Sequence, residues 1–376
     1  MLPLWALIYR FFFKSIIQRL PAEAAHSLAA RTLRALTAIP GLRAGLWRAL
    51  QPKDSTLHVR ALGRTFPSPL GVAGGMDKDA TWFESLGALG FGFVEVGTVT
   101  ARRQRGNDGK RVWRLPEDRA VLNRLGFPNS GAEVAARRLR NRSGQTIVGV
   151  NVGKSMAVPV DEAGGDYRAS VRRLAPLADF LVLNVSSPNT PGLRGMQAVD
   201  ALRALAAEVR DELSTVGAHV PLLPKIGPDL SDEEIDAIAD LALELELDGI
   251  VATNTTAGRD GLVSDPALWS RDGGISGAPL KVRALEVLER LHERVGRQLV
   301  LVSVGGIETV DDAWQRLRAG ATLIEAYTGF VYGGPLWPSR INRGLARRLR
   351  DSEHASLQDL VGAAALPGAM EPERTP

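Results

Sequence analysis

Near its middle the chain reads Phe180-Leu-Val-Leu-Asn-Val-Ser-Ser-Pro-Asn-Thr-Pro-Gly-Leu-Arg194, a short apolar run followed by a polar stretch. Residues 180–183 have the length and the aliphatic character of a buried strand. Residues 184–194 then place amides, hydroxyls, two prolines and a glycine within eleven positions. This composition is costly for a simple connection, so we predict that the stretch forms the rim of an active site.

The same pattern recurs along the chain. Eight runs combine a β-branched or apolar segment with a polar or glycine-rich end: 70–75, 93–98, 147–153, 180–187, 222–227, 249–256, 299–306 and 322–329. Apolar residues at helical spacing lie between most of them, in 79–89, 131–140, 199–213, 231–245, 280–295 and 310–318. This alternation predicts an α/β fold, a closed (β/α)₈ TIM barrel of parallel strands.

The carboxyl ends of barrel strands meet on one face, so the eight polar ends predict a single polar pocket there. The last two runs end in glycines, at 305–306 and at 329. Backbone N–H groups after these strands typically bind phosphate in barrels. A phosphorylated cofactor or substrate is therefore expected.

The composition excludes several classes of chemistry. Cysteine is absent, which removes disulfides, thiolate metal sites, iron–sulfur clusters and cysteine nucleophiles. The five histidines lie in the N-terminal helices or in connecting segments, and the acidic residues show no metal-ligand spacing. We therefore expect neither a histidine base nor a metal site. The formal net charge of +4 suits phosphate, a membrane surface or nucleic acid alike.

Two connections are longer than ordinary barrel loops. The first, 99–146, carries a cluster of basic side chains that we expect to be solvated: Arg102, Arg103, Arg105, Lys110, Arg111 and Arg114. Only Trp113 is interleaved among them for stacking on bases, so no nucleic-acid partner is expected. The second, 256–276, is polar and is expected to cover the same face as the 184–194 stretch.

The first forty residues predict two helices. Residues 1–20 form an amphipathic helix whose apolar run is shorter than the roughly 20 residues that cross a bilayer. Basic residues interrupt that run, which disfavours a signal peptide. Residues 23–39 form a second helix after Pro21. The pair either packs on the main domain as core or lies at a membrane surface, and a tryptophan with three consecutive phenylalanines favours the membrane surface.

Lysines and asparagines stand at the predicted strand ends. Lys78 and Lys225 would offset negative charge on a reduced flavin ring or on a carboxylate substrate. Alternatively, one of them would form a Schiff base, as in an aldolase-like barrel, and their spacing does not separate the two interpretations. Five amides suit a flat ring with amide edges better than an aldolase substrate: Asn123, Asn151, Asn184, Asn189 and Asn254.

Ser187 is the remaining candidate for a proton acceptor on the central stretch. A serine is a poor base in water, so it would need a hydrogen-bond relay and an acidic substrate proton. The alternative is a structural serine that caps a turn. The residues alone leave both interpretations open.

Further motifs accompany the 184–194 stretch in order along the chain: Asp77-Lys78, Glu95-Val-Gly-Thr98, Asn123-Arg-Leu-Gly-Phe127, Gly149-Val-Asn-Val-Gly-Lys154, Lys225-Ile-Gly-Pro-Asp-Leu230, Ala252-Thr-Asn-Thr-Thr256, Gly273-Gly-Ile-Ser-Gly277, Val304-Gly-Gly-Ile307 and Tyr327-Thr-Gly-Phe330. As a set they closely resemble class 2, quinone-dependent dihydroorotate dehydrogenase. The resemblance extends from the N-terminal helices to about Arg348.

The resemblance implies an enzyme with one FMN per chain that oxidises dihydroorotate to orotate in pyrimidine synthesis. It implies that Ser187 takes the C5 proton while the C6 hydride passes to the flavin. Carried over by position, the substrate would be held by Lys78, Asn123, Arg124, Leu125, Gly126, Phe127, Asn184, Asn189, Asn254 and Thr255. FMN would be lined by Ala73, Gly74, Gly75, Met76, Asp77, Thr98, Asn151, Asn184, Lys225, Thr253, Gly277, Gly306, Tyr327 and Thr328.

The resemblance also implies that residues 1–40 dock at a membrane and admit ubiquinone or menaquinone, which reoxidises the flavin. We expect a monomeric peripheral membrane protein at the cytoplasmic face of a bacterial inner membrane. Its FMN barrel would occupy 41–350, and its tail, 351–376, would end in disorder. His26 matches the family's helix pattern without an assigned role. Two alternatives stay open: a flavin barrel acting on another pyrimidine, and a non-catalytic, membrane-peripheral binding barrel.

Overall fold

The computed structural model of the chain describes residues 15–363 and, before them, Tyr9, Phe11 and Phe13. Most of the helix predicted over residues 1–20 therefore lies outside the described residues. The predicted disorder at the end of the tail also lies outside them.

A closed barrel of eight parallel strands forms the centre of the fold, which confirms the predicted fold class. We number its strands in chain order: β1 Leu70–Asp77, β2 Phe93–Val99, β3 Ile147–Val152, β4 Phe180–Asn184, β5 Leu222–Ile226, β6 Gly249–Ala252, β7 Val300–Val304 and β8 Leu323–Ala326. Each strand pairs with the next along the chain, and β8 pairs with β1 to close the barrel. The strands are buried on both faces, which explains their nearly unbroken apolar runs.

Several predicted strands extend past the observed ends. β4 stops at Asn184, β6 at Ala252 and β8 at Ala326. Beyond these residues the chain forms loops or, after β8, the short helix Thr328–Gly333. The predicted boundaries were wrong because the polar residues leave the sheet ladder and line the pocket above it.

The helix predicted over 79–89 is much shorter, Phe83–Gly87. A turn replaces its beginning, because the buried carboxylate of Asp77 accepts the backbone N–H groups of Thr81 and Trp82, each at 2.8 Å. Ala80 in this turn has a φ of 52°, a left-handed conformation that an α-helix excludes.

Five other outer helices agree with their predicted spans to within about two residues: Ala132–Arg140, Val199–Thr215, Asp232–Glu244, Lys281–Val295 and Val310–Arg318. Capping boxes at Ser231 and Thr309 begin two of them. The sequence analysis missed Ala163–Leu174 and Trp337–Arg350. Two glycines follow Ala163, and their low helix propensity hid the start of that helix.

The two long connections meet in a second sheet. It has three antiparallel strands, Val112–Leu115, Ala120–Asn123 and Gly274–Gly277. Trp113 and Ile275 belong to a small apolar cluster that this sheet buries, with the short helix Pro266–Trp269 packed against it. The second connection thus packs on the first, and their shared sheet forms one side of the pocket described below.

A hairpin of Val59–Ala61 and Arg64–Phe66 lies at the amino-terminal end of the barrel. Phe66 packs edge-on against Phe93 at the start of β2, with ring centroids 5.3 Å apart. The short helix Leu357–Leu360 contacts the hairpin. The pocket lies at the other end of the barrel.

Helix Ala22–Ala38, followed by Leu42–Leu50, lies beside the mouth of the barrel. Arg111 Nη2 lies 2.5 Å from Glu23 Oε1, and Arg114 donates to the carbonyl of Leu20 at 2.9 Å. The expectation that the whole basic cluster is solvated was wrong for these two arginines. They fasten the N-terminal segment to the barrel, while the other four basic residues of the cluster are exposed.

The N-terminal segment exposes many large apolar side chains. Among the described residues, five of the eight exposed large hydrophobic side chains belong to it: Phe11, Ile16, Leu28, Leu36 and Ile39. Phe13, in contrast, is buried, and its ring centroid lies 5.2 Å from that of Tyr332. The segment therefore packs on the barrel with one side and presents apolar side chains with the other. Across the part of the chain that is described, no helix combines the length and apolarity needed to span a membrane.

Candidate active site

A pocket lies at the carboxyl ends of the barrel strands, where the polar run ends predict it. Residues at the ends of seven of the eight strands line it, and the three-stranded sheet forms one side. It contains about 1090 Å³ of empty space, part of which is open to solvent. We call it the barrel-mouth pocket.

The barrel-mouth pocket brings together Ser187 and most residues predicted to bind substrate or cofactor. The predicted residues that line it are Ala73, Gly74, Gly75, Lys78, Thr98, Asn123, Leu125, Gly126, Phe127, Asn184, Ser187, Asn189, Lys225, Thr253, Asn254, Thr255, Gly277, Gly306, Tyr327 and Thr328. Residues far apart in the chain thus share one surface. Their individual roles stay predictions.

Four predicted residues do not line this pocket. Met76 and Asp77 face a neighbouring groove. Asn151 is buried beside the pocket wall and donates to a glutamate oxygen at 2.9 Å. Arg124 donates through its backbone N–H to the carbonyl of Arg111 at 2.8 Å. These contacts support neighbouring residues.

Asn184 is the centre of a buried hydrogen-bond network. Its carbonyl accepts from Tyr167 Oη at 2.7 Å, and its Nδ2 donates to Thr98 Oγ1 at 2.9 Å. Its Oδ1 accepts from Asn254 Nδ2 at 3.3 Å. The network links the ends of β2, β4 and β6, so it holds their polar groups in one fixed arrangement.

A second pair of amides joins the 184–194 stretch to the three-stranded sheet. Asn189 Nδ2 donates to Asn123 Oδ1 at 3.1 Å. Asn123 Nδ2 in turn donates to the carbonyl of Gly274 at 3.4 Å. Both amides also line the pocket, so a flat ligand with amide edges would meet donors and acceptors from two sides.

The two adjacent serines of the central stretch differ in their surroundings. Ser186 Oγ donates to the carbonyl of Lys225 at 2.6 Å and accepts from Asn254 Nδ2 at 3.1 Å, so it holds the loop in place. Ser187 lines the pocket, and its Oγ accepts the N–H of Asn189 at 3.3 Å. Ser187 therefore makes the hydrogen bond that the turn-capping interpretation predicts. This bond uses an oxygen lone pair and leaves the hydroxyl proton available to donate.

Thr190 is a polar residue of this stretch that the sequence analysis missed. It is buried, and its Oγ1 has no hydrogen-bond partner among the described residues. A buried hydroxyl without a partner costs about 1–3 kcal/mol unless water or a ligand satisfies it. The hydroxyl of Thr190, which follows Ser187 closely in the chain, can thus bond a water or a ligand.

Lys225, at the end of β5, is poorly suited to Schiff-base chemistry. Its Nζ lies 2.9 Å from Glu95 Oε1 and 3.6 Å from Glu325 Oε2. Burial by itself would lower the pKa of Lys225, but the two carboxyl groups outweigh burial and raise it. A Schiff-base lysine must lose its proton to attack, so the structure favours a permanent positive charge here.

Lys78 follows β1 and donates to the carbonyl of Gly75 at 2.5 Å. Burial lowers the pKa of Lys78 to about 8, against the opposing effect of the negative charges of Glu23 and Asp77. The charge of Lys78 therefore changes within an accessible pH range, unlike that of Lys225.

A groove beneath helix Ala22–Ala38 adjoins the barrel-mouth pocket, and we call it the helix groove. Four residues line both cavities: Lys78, Val112, Leu125 and Tyr327. The two cavities therefore share a wall. A molecule in the helix groove would be separated from the pocket by single side chains.

His26 lines the helix groove from the helix. Its ring packs edge-on against Trp82, with ring centroids 5.5 Å apart. Partial burial and, to a smaller extent, the charge of Lys78 together lower the pKa of His26 to about 3, so the ring is neutral near pH 7. In the chain His26 is far from every strand end, yet the fold brings it beside the end of β1.

Gly305 and Gly329, at the glycine-rich ends of the last two runs, also line the pocket. Eight lining residues were missed: Val112, Val121, Ser276, Leu280, Val304, Ile307, Glu325 and Ala326. Those of the three-stranded sheet lie in connections without a clear strand pattern. Glu325 had a usable signal, because it is a charged residue inside the apolar run of β8. The described residues contain no cluster of side chains that could hold a metal ion.

Comparison with known proteins identifies the family of this chain. Residues 56–349 match the family model described as Dihydroorotate dehydrogenase. The chain is 54% identical over 372 residues to Dihydroorotate dehydrogenase (quinone) of Thermobifida fusca, covering 96% of this chain and 98% of the relative. It is 53% identical over 345 residues to the protein of that name from Mycobacterium tuberculosis (strain H37Rv), covering 92% of this chain and 95% of the relative.

Solved structures of similar fold come from Eimeria tenella. The crystal structure of DHODH in complex with ferulenol superposes with a TM-score of 0.82 at 35% identity, covering 91% of this chain and 96% of that chain. The ligand-free DHODH structure gives a TM-score of 0.84 at 36% identity, covering 92% and 100%. The similarity therefore extends over nearly the whole of each chain.

Proposed function

This chain belongs to the dihydroorotate dehydrogenase family, in which its relatives are of the quinone type, and we propose from that premise how its residues carry out the reaction. It is an enzyme that oxidises dihydroorotate in pyrimidine biosynthesis. In our proposal the barrel-mouth pocket holds FMN and dihydroorotate, and the helix groove admits the quinone. The observation that carries the proposal is the wall that the two cavities share.

The residues of the barrel-mouth pocket fit FMN. Gly277 and Gly306 line it, and a Cβ on Gly306 would lie 2.5 Å from Lys281 Cα, so only a bare backbone fits there. Main-chain N–H groups of these glycines would suit a phosphate. Lys225 adds a buried positive charge, and Thr98 adds a hydroxyl. When bound, FMN supplies the hydride acceptor.

Ser187 would remove the C5 proton of dihydroorotate. That proton is α to a carbonyl group, which makes it acidic enough for a weak base. The proposal is supported by the position of Ser187 on the pocket surface and by its undonated hydroxyl proton. The proton would then pass from Ser187 towards the unpartnered hydroxyl of Thr190 or to water.

The substrate would be held by charge and by amide pairing. Lys78 would bind its carboxylate, because a buried ammonium stabilises an anion more strongly than an exposed one does. Asn123 and Asn189, already bonded to each other, would meet the ring amides from one side, and Asn184 and Asn254 from the other. Excluding water from the pocket strengthens these contacts.

The quinone would enter through the helix groove from a membrane surface. Support comes from the neutral ring of His26 in the groove and from the exposed apolar side chains of the N-terminal segment. A segment of this kind binds the interface of a bilayer. We propose that the protein is a monomer that docks in this way at the cytoplasmic face of a bacterial inner membrane.

The proposal is tested by following the two half-reactions separately. Purified protein should be yellow, dihydroorotate should bleach the flavin absorbance, and a quinone should restore it. Stopped-flow absorbance measures each step. A colourless protein that takes up no FMN would contradict the assignment of the barrel-mouth pocket.

A further inference from the structure

Three charged side chains from separate strands meet inside the barrel, at the inner end of the barrel-mouth pocket. They are Glu95 from β2, Lys225 from β5 and Glu325 from β8. The two glutamate side chains are 0% exposed and that of Lys225 is 6% exposed. Two ionised carboxylates and one ammonium would leave a net negative charge here. An uncompensated charge in a protein interior strongly destabilises the folded state.

The hydrogen bonds of the two glutamates are unequal. Glu95 Oε1 accepts from Gly74 N at 3.1 Å, from Asn151 Nδ2 at 2.9 Å and from Lys225 Nζ at 2.9 Å. Glu95 Oε2 and both oxygens of Glu325 have no hydrogen-bond donor in the described part of the chain. Glu95 is thus the carboxylate that the surrounding groups stabilise. An ionised Glu325 would have only the more distant contact to Lys225.

A proton on Glu325 would remove the net negative charge and would give Glu325 a hydrogen-bond partner. The acid O–H of Glu325 would donate to a carboxylate oxygen of Glu95, and the cluster would become electrically neutral. Burial raises the pKa of Glu325 well above its ordinary value, and the charge of Glu95 raises it further, against the opposing effect of Lys225. The flanking strands place Val304 and Gly71 opposite Glu325 and add no charge.

We propose that Glu325 stays protonated at neutral pH, shares this proton with Glu95, and acts as a positioning residue that leaves the charge of Lys225 available to the flavin site. The inference rests on the proposed binding of FMN in the barrel-mouth pocket. A two-electron reduction adds negative charge to a flavin ring, which Lys225 would stabilise. An ionised Glu325 would cancel that effect and lower the reduction potential of the bound flavin.

The first test compares three full-length, FMN-loaded proteins: wild type, Glu325→Gln and Glu95→Gln. The ratio of oxidised to reduced flavin is measured at equilibrium with reference dyes at pH 7. Glutamine copies a protonated glutamate, so Glu325→Gln should change the ratio less than about twofold. Glu95→Gln removes a real charge and should favour reduced flavin about tenfold, which equals about 30 mV for a two-electron couple. A tenfold shift in Glu325→Gln as well would overturn the proposal.

The second test needs no flavin, so it separates this inference from the proposed function. The ordinary pKa of glutamate is 4.5 in the unfolded chain and is raised in the folded state. Between these values the folded state binds the extra proton, so wild type loses stability as pH rises above about 4.5, while Glu325→Gln does not. The thermal midpoint of Glu325→Gln minus that of wild type should therefore grow steadily from pH 5 to pH 8.

Glu293→Gln, an exposed glutamate on helix Lys281–Val295, is the matched control for this second test. Its midpoint relative to wild type should change little over the same pH range. If Glu325→Gln also keeps a constant difference from wild type between pH 5 and pH 8, Glu325 holds no extra proton and the proposal fails. A protein that binds no FMN but shows the growing difference would retain the proton pair and refute only the cofactor assignment.

Discussion

The barrel-mouth pocket and the helix groove share a wall, but they are held together by different means. Polar side chains at the strand ends line the pocket, and they are buried and bonded to one another, as around Asn184. Helix Ala22–Ala38, which covers the groove, has no buried residue. Half-buried side chains such as Leu33 and polar contacts such as that of Arg111 with Glu23 hold it to the barrel.

The difference matches the two tasks that we propose for these regions. Proton and hydride transfer need the reacting groups at fixed distances, which a buried network of hydrogen bonds provides. An apolar substrate that arrives from a membrane needs a path that opens, which a helix held by surface contacts provides. Changes in the pocket should therefore impair flavin reduction, and changes in the helix should impair quinone reduction.

The largest effect is expected for Ser187→Ala. Removing the proposed base should slow bleaching of the flavin by dihydroorotate about a hundredfold or more, the usual scale for a positioned base. Stopped-flow absorbance measures this step. The control is reoxidation of chemically reduced flavin by quinone, which should proceed at the wild-type rate. A wild-type bleaching rate in Ser187→Ala would show that the serine only caps the turn.

The second-largest effect is expected in the helix groove. Deleting residues 1–40 should reduce the rate of quinone reduction at least about tenfold, the loss that corresponds to 1.4 kcal/mol of binding free energy. Flavin reduction by dihydroorotate should stay within about twofold of wild type, since the pocket has its own network. If both half-reactions lost activity equally, the two regions would not be separable.

Lys78 lines both cavities. The pH dependence of ligand binding separates its effect on the substrate from its effect on the quinone. The protonated amine binds a carboxylate, so the affinity for orotate should be constant below the Lys78 pKa of about 8 and should fall above it. The expected slope is about tenfold per pH unit. Spectral titration of the bound flavin from pH 6 to pH 9.5 measures this affinity.

The variant Lys78→Gln serves as the control for this pH dependence. It should bind orotate weakly at every pH and show no break near pH 8. The Michaelis constant for the quinone, which has no carboxylate, should not follow the same curve. A break that persists in Lys78→Gln would assign the titration to another group.

The smallest effect is expected at the contact between helix and barrel. Glu23→Gln removes the charge that Arg111 contacts, in a partly exposed pair worth up to about 1 kcal/mol. The Michaelis constant for the quinone should rise by up to about fivefold, and less at high salt because of screening. Glu353→Gln, an exposed residue near the C-terminus, is the control. Flavin reduction is compared at pH 6 with saturating dihydroorotate, where Lys78 stays protonated even without the charge of Glu23. Slower flavin reduction in Glu23→Gln under these conditions would contradict the division between the two regions.

The candidate site was largely predictable because a parallel barrel carries every strand end to one face. Lys225 and Asn254 could be placed there from their positions after apolar runs alone. The roles of Ser186 and Ser187 could not be distinguished in this way. The two serines are neighbours in a loop, and the turn geometry decides which hydroxyl is bonded inside and which one lines the pocket.

The barrel, the family and the polar 184–194 stretch on the pocket face could all be predicted from the amino-acid sequence alone. These depend on local features, namely the period of apolar residues and the order of motifs along the chain. Which charges are buried together became clear only from the folded chain. Glu95 and Lys225, which are 130 positions apart, meet with Glu325 inside the barrel. The protonation of such a group depends on partners from other strands, and no local pattern encodes those partners.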